Sequence, residues 1–92
     1  MSSKKPPVTS QDDWETELRP WLEQVATALG TTREDTAAEV DRVHELTGVV
    51  AGNVQRSMAP ISAYLVGIAV GRGASLEEAC RRVEDMAGTP RP

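Results

Sequence analysis

The sequence predicts an all-α protein, a compact four-helix bundle in which the third helix is the hydrophobic, central one. Three observations carry this. Apolar residues recur at three- and four-residue steps in successive segments, the spacing that places side chains on one helix face. Thr32–Asp35 and Ser75–Glu78 have the Ser/Thr-x-x-acid form of a helix N-terminus, and Gly30 and Gly88 stand where helices close. Between Arg56 and Gly73 the chain is almost wholly apolar, with no alternating strand pattern anywhere to compete.

The first helix is read from Trp14, Leu18, Trp21, Leu22, Val25 and Leu29, ending at Gly30. Pro20 lies within it. A proline has no N–H and its ring clashes with the carbonyl four residues back, here that of Thr16, so a kinked single helix is expected, because the apolar register continues through it. The second helix is expected from the Thr32–Asp35 box to about Gln55, with Val40, Val43, Leu46, Val50 and Val54 as its inner arc and Ala51 at the edge. Asp41, Arg42, Glu45 and Arg56 then fall on the opposite, solvent side.

Ser57 is placed to cap the third helix, with Pro60 in its first turn, where a missing donor costs little. On a helical projection Ile61, Tyr64, Leu65 and Ile68 form one face, Val66 and Val70 another, and Ala63, Gly67 and Gly71 a flat third. A helix apolar on all sides is expected to be enclosed, and Gly67 to sit at a close helix crossing. The fourth helix opens at Ser75. Leu76, Ala79, Cys80, Val83 and Met86 should point inward, with the pairs Glu77–Arg81 and Glu78–Arg82 outside in the favourable i,i+4 orientation.

The 92 residues make one small domain, read as residues 11–88, with a disordered arm at 1–10 and a tail at 89–92. Ten basic against fourteen acidic residues give a net charge of -4, with the basic ones scattered. That argues against nucleic acid and anionic membrane as partners, since both are held by clustered Lys and Arg. The N-terminal Lys4-Lys5-Pro6-Pro7 has no apolar stretch after it, and the run Ile61–Val70 is well short of the roughly 20 residues that span a bilayer, so neither a signal peptide nor an anchor is expected. One cysteine, Cys80, forms no intrachain disulfide and fits a reducing, cytoplasmic setting.

Chemistry is sparse. His44, the single histidine, has no carboxylate or second histidine at ligand spacing, and Cys80 takes an inward position as a small core residue. No nucleophile–base pair, metal cluster or phosphate loop stands beside them, so no enzyme and no cofactor are expected. Two features remain. Asn53 and Arg56, one turn apart beside the corner into the third helix, are candidate binding residues, with Arg72 at that helix's far end as a third. Gly48, Val49 and Gly52 interrupt the charged side of the second helix and are a candidate interface, for a homodimer or a protein partner, because glycines four apart admit a close neighbour.

The run Leu46-Thr-Gly-Val-Val-Ala-Gly-Asn-Val-Gln-Arg56, followed by Ala59-Pro60-Ile-Ser-Ala-Tyr-Leu-Val-Gly67-Ile-Ala-Val-Gly71-Arg72, resembles a small actinobacterial helical domain of unknown function. That domain is found alone or appended to molybdenum-cofactor nucleotidyltransferase-like domains. The resemblance covers roughly Trp21 to Ala87, with Trp21-Leu22 and Leu29-Gly30 as further matches. It implies, as an alternative to an interaction module, an accessory role in molybdenum-cofactor biosynthesis with a small ligand site near Arg56. Family members tend to carry Asp, His, Arg and Pro where this chain has Val49, Gly52, Arg56 and Ser57, so only the arginine of that stripe is kept.

Overall fold

A computed structural model describes residues 7–31 and 37–88. The expected box at Thr32–Asp35 and the expected tail at 89–92 lie outside the described residues. Four α-helices are present, α1 (Arg19–Ala28), α2 (Ala37–Asn53), α3 (Met58–Gly71) and α4 (Leu76–Ala87), and no strand occurs among the described residues, so the fold class is all-α as expected. The chain divides into two compact units, Met1–Asp41 and Arg42–Pro92, with the boundary inside α2.

In the first unit the helix begins before α1. Trp14–Leu18 is wound as a π-helix, in which the Leu18 N–H donates to the Asp13 carbonyl at 3.1 Å, and α1 follows directly with Pro20 in its first turn. The wider turn is the physical answer to Pro20. It shifts hydrogen bonding by one residue just ahead of the ring, and the backbone stays helical through Leu18 and Arg19. A single deformed helix is thus what forms. It closes at Gly30, whose φ of 70° lets its N–H reach the Thr27 carbonyl while Thr31 reaches back to Ala26, the paired bonds of a Schellman ending.

Val8–Ser10 forms a turn of 3₁₀ helix, and Thr9 donates its N–H (3.1 Å) and its hydroxyl (2.5 Å) to the two carboxylate oxygens of Asp41. This corrects the disordered assignment for Val8–Ser10 and moves Asp41 from the solvent side to a tethering role. A charged acceptor with two donors from one residue is sufficient to hold an otherwise polar segment.

The second unit contains the core: Leu46 and Val50 from α2, Ala59 and Val66 from α3, and Cys80 from α4, with Ala51, Val70, Leu76, Ala79 and Val83 packed around them. α4 is capped as expected, the Ser75 hydroxyl accepting the Glu78 N–H at 3.2 Å, and its outer pairs Glu77–Arg81 and Glu78–Arg82 form at 3.5 and 4.0 Å. Ser57 differs. It holds the N-cap position of α3 in a helical conformation and makes no side-chain cap. The turn before it does the capping work, with Met58 donating to Gln55 and Ala59 to Arg56.

Two inward assignments on α4 and α3 are corrected. Met86, expected on the inner face, is 86 % exposed. α3 is not enclosed: Ala59 and Val66 are buried, whereas Ile61, Tyr64 and Leu65 are exposed. Nor is Gly67 at a close crossing, because it is exposed and a Cβ built there meets nothing within 4 Å.

Two substitutions test this core. Leu46→Ala is expected to cost about 2–5 kcal/mol, the range for emptying a fully buried leucine site, while Met86→Ala should change stability by less than about 0.5 kcal/mol. Urea unfolding followed by circular dichroism measures both. Gly67→Ala should stabilise the chain by up to about 1 kcal/mol, because an exposed mid-helix glycine costs propensity and has no neighbour to clash with; a loss would restore the crowded assignment.

Candidate functional site

The strongest polar constellation is one that periodicity assigned to solvent. Arg42, Leu46 and Val50 are spaced i, i+4, i+8 and so continue one face of α2, and Glu77, Cys80 and Glu84 are spaced i, i+3, i+7 on one face of α4. The two faces meet in the core, which carries Arg42 onto α4. Its side chain keeps only 16 % exposure. Nη1 and Nη2 donate to the two oxygens of Glu84, each at 2.7 Å, and Nε donates to Glu77 at 2.7 Å. Longer bonds of 3.4 Å run from Nη2 to Glu77 and from Nη1 to Glu45. All five guanidinium N–H donors are therefore engaged, as the planar fork of arginine permits and an ammonium does not.

The electrostatics follow from this geometry. The bonds to Glu84 first, then those to Glu77, hold Arg42 more firmly protonated than a free arginine, against the cost of desolvation. In return, the Arg42 hydrogen bond holds the exposed Glu77 carboxyl below its ordinary value. Beneath them, burial pushes the Cys80 thiol up, so it stays protonated and serves as a small apolar core group. The cluster is built to join α2 to α4. With every donor taken, the guanidinium has no free N–H to offer a ligand.

Of the candidate binding residues, Arg56 and Arg72 are not brought together. The half-buried Asn53 donates its side-chain amide to the Gly88 carbonyl, tying the end of α2 to the residue that terminates α4. Arg56 is exposed before α3 and Arg72 is exposed after it. The 14 residues of α3 lie between them, a separation of about 21 Å at 1.5 Å per residue. Of the candidate interface, Gly48 and Val49 are half-buried and Gly52 is exposed, and a Cβ at either glycine meets nothing within 4 Å. His44 contributes its backbone carbonyl to the Thr47 hydroxyl at 2.6 Å. Among the described residues no group of His, Cys, Asp and Glu could hold a metal ion, and no helix is long and apolar enough to cross a membrane.

What periodicity missed is the exposed side of α3. Tyr64 is 68 % and Leu65 58 % exposed, beside Ile61 and Met58, while Val66 keeps 3 %. The signal lay in side-chain size. The inward stripe Ala59, Ala63, Val66, Val70 consists of small residues at helical spacing, and it is the small stripe that lets α3 approach α4 closely.

Replacing Arg42 by alanine leaves Glu84, Glu77 and Glu45 without their shared cation, and is expected to cost about 2–4 kcal/mol, somewhat below a fully buried pair because Glu77 is exposed. Because the folded Glu77 carboxyl titrates below its ordinary value of 4.5, its share of stability is present above that pH and lost as pH falls through the lowered value. The gap between wild type and Arg42→Ala should therefore narrow below about pH 4.5. Thermal melts across the acid range read it.

No curated protein and no solved structure matches the chain. Residues 13–91 match the family model described as a domain of unknown function, DUF6457, which spans both units and every α-helix. The chain, with its α2–α4 clamp and its outward-facing apolar side of α3, belongs to the DUF6457 family.

Proposed function

We propose that this chain is a non-catalytic helical interaction module of the cytoplasm, working by self-association or by docking on a protein partner through the outward side of α3. One observation carries the reading: α3 buries Ala59 and Val66 and exposes the larger Met58, Ile61, Tyr64 and Leu65. Folding alone favours the reverse, because each Ile, Leu or Tyr left in water forgoes about 1.5–3 kcal/mol that burial would supply. Single exposed apolar residues are ordinary, but Met58, Ile61, Tyr64 and Leu65 are contiguous on one helix, and contiguous patches of this kind mark contact surfaces. Tyr64 adds an aromatic body with a polar tip, the kind of side chain enriched at the centre of such contacts.

The non-catalytic part rests on the chemistry of the side chains. The one thiol is buried and protonated, and among the described residues the concentrated set of charges around Arg42 spends its donors on itself. The scattered basic residues and net acidic charge favour a protein surface over nucleic acid as the partner.

The reading requires that the outward side of α3 be dispensable for folding. At a protein concentration low enough that self-association does not contribute to stability, Leu65→Gln and Tyr64→Ser should melt within about 2 °C of wild type, whereas Val66→Ala, one residue away on the buried side, should lower the melting temperature by several degrees, about 4–8 °C per kcal/mol for a domain of this size. Thermal melts followed by circular dichroism at that concentration separate the cases. A Leu65→Gln variant as unstable as Val66→Ala would mean that this side is packed within the fold, and the reading would fail.

A further inference from the structure

We infer that the occupant of the α3 face is a second copy of this chain, and that two α3 helices pair across a two-fold axis centred near Tyr64 and Ile68. The inference rests on the reading of α3 as a contact surface and adds the identity of the partner. Self-complementarity carries it. Tyr64, Gly67, Ile68 and Gly71 are spaced i, i+3, i+4, i+7 and therefore share one side of the helix. Tyr64 projects into solvent, and around Gly67 and Gly71 a Cβ would meet nothing within 4 Å. Projection and notch thus lie on the same surface. In a two-fold arrangement each copy supplies the notch for the other's projection, as an isologous contact demands.

Charge points the same way. Between Arg56 and Arg72 α3 carries no charged side chain, in a chain with 24 charged residues, the sum of its 10 basic and 14 acidic ones. A partner recognised by charge would find nothing there to pair with, whereas two identical copies of net charge -4 meet over this face without opposing like charges directly. The size is modest. A helix of 14 residues is about 21 Å long, and pairing two such faces buries a total near the lower end of specific interfaces, about 1,000 Å². Association in the micromolar range, with free exchange of subunits, is the expected strength.

The full 92-residue chain, taken through a micromolar concentration series by size-exclusion chromatography with light scattering, is expected to reach about twice its 9.9 kDa mass. Tyr64→Glu should remain helical by circular dichroism and run as a monomer at every concentration. Gly52→Glu, which places the same charge on the opposite candidate surface of α2, should remain a dimer. If Tyr64→Glu does not fold, Leu65→Gln takes its place, with a severalfold weaker dimer expected; failure of both to fold overturns the inference. A monomeric wild type overturns self-association while leaving the contact-surface reading to the melting comparison at low concentration, where association does not contribute. A dimer broken by Gly52→Glu and untouched by Tyr64→Glu would move the interface to Gly48–Val49–Gly52 and overturn the assignment to α3.

Discussion

The guanidinium of Arg42 is the constraint on which the second unit turns. It is placed one helical turn before Leu46 and two before Val50, and its two shortest bonds lock onto a single carboxylate of α4, that of Glu84. Planar, bidentate bonding of this sort fixes orientation as well as distance. Once Arg42 is seated, Leu46 and Val50 are presented to Cys80 at one register only, and Asn53 on Gly88 fastens the far end of α2. A core of five buried residues has little area to spare, so specificity from the polar clamp supplements what burial alone leaves undecided. The fully engaged donors give this concentrated set of charges a structural role, joining α2 to α4.

α3 shows the opposite economy. Its contribution to the core is made by Ala59 and Val66, small side chains that let two helices approach, and its mass faces away. A helix that is apolar on every side has no intrinsic inner face. Which side turns inward is settled by packing against the neighbouring helices, and here Ala59 and Val66 are the residues buried with Leu46, Val50 and Cys80. The consequence is an exposed apolar surface of Ile61, Tyr64 and Leu65.

The local rules of helix ends and prolines were followed closely where the residues have strong intrinsic preferences. Gly30 terminates the first helix because only a residue without a Cβ adopts its positive φ at no cost, and Ser75 begins α4 by accepting a backbone N–H that has no other partner. Pro20 was legible as a disturbance, though its resolution by a π-turn was not: the ring forbids one bond without saying which neighbour yields. Ser57 could cap, yet the preceding turn already supplied the bonds. Thr9 on Asp41 joins residues 32 apart in sequence, a distance over which no periodicity carries information.

By itself, then, the sequence determined the helical class, the placement of the four helices, the buried positions of Leu46, Val50 and Cys80, and the absence of a linear catalytic pattern, because each follows from propensity, period or residue type acting over a turn or two. Tertiary structure decided the rest. It turned Arg42 from a solvated charge into a clamp, took Asn53 for a helix end, left Arg56 and Arg72 at opposite ends of α3, and chose which side of α3 to expose. These outcomes depend on which faces meet, and a pairing of faces from distant segments is set by the fit of whole surfaces, a quantity that no local window of sequence contains.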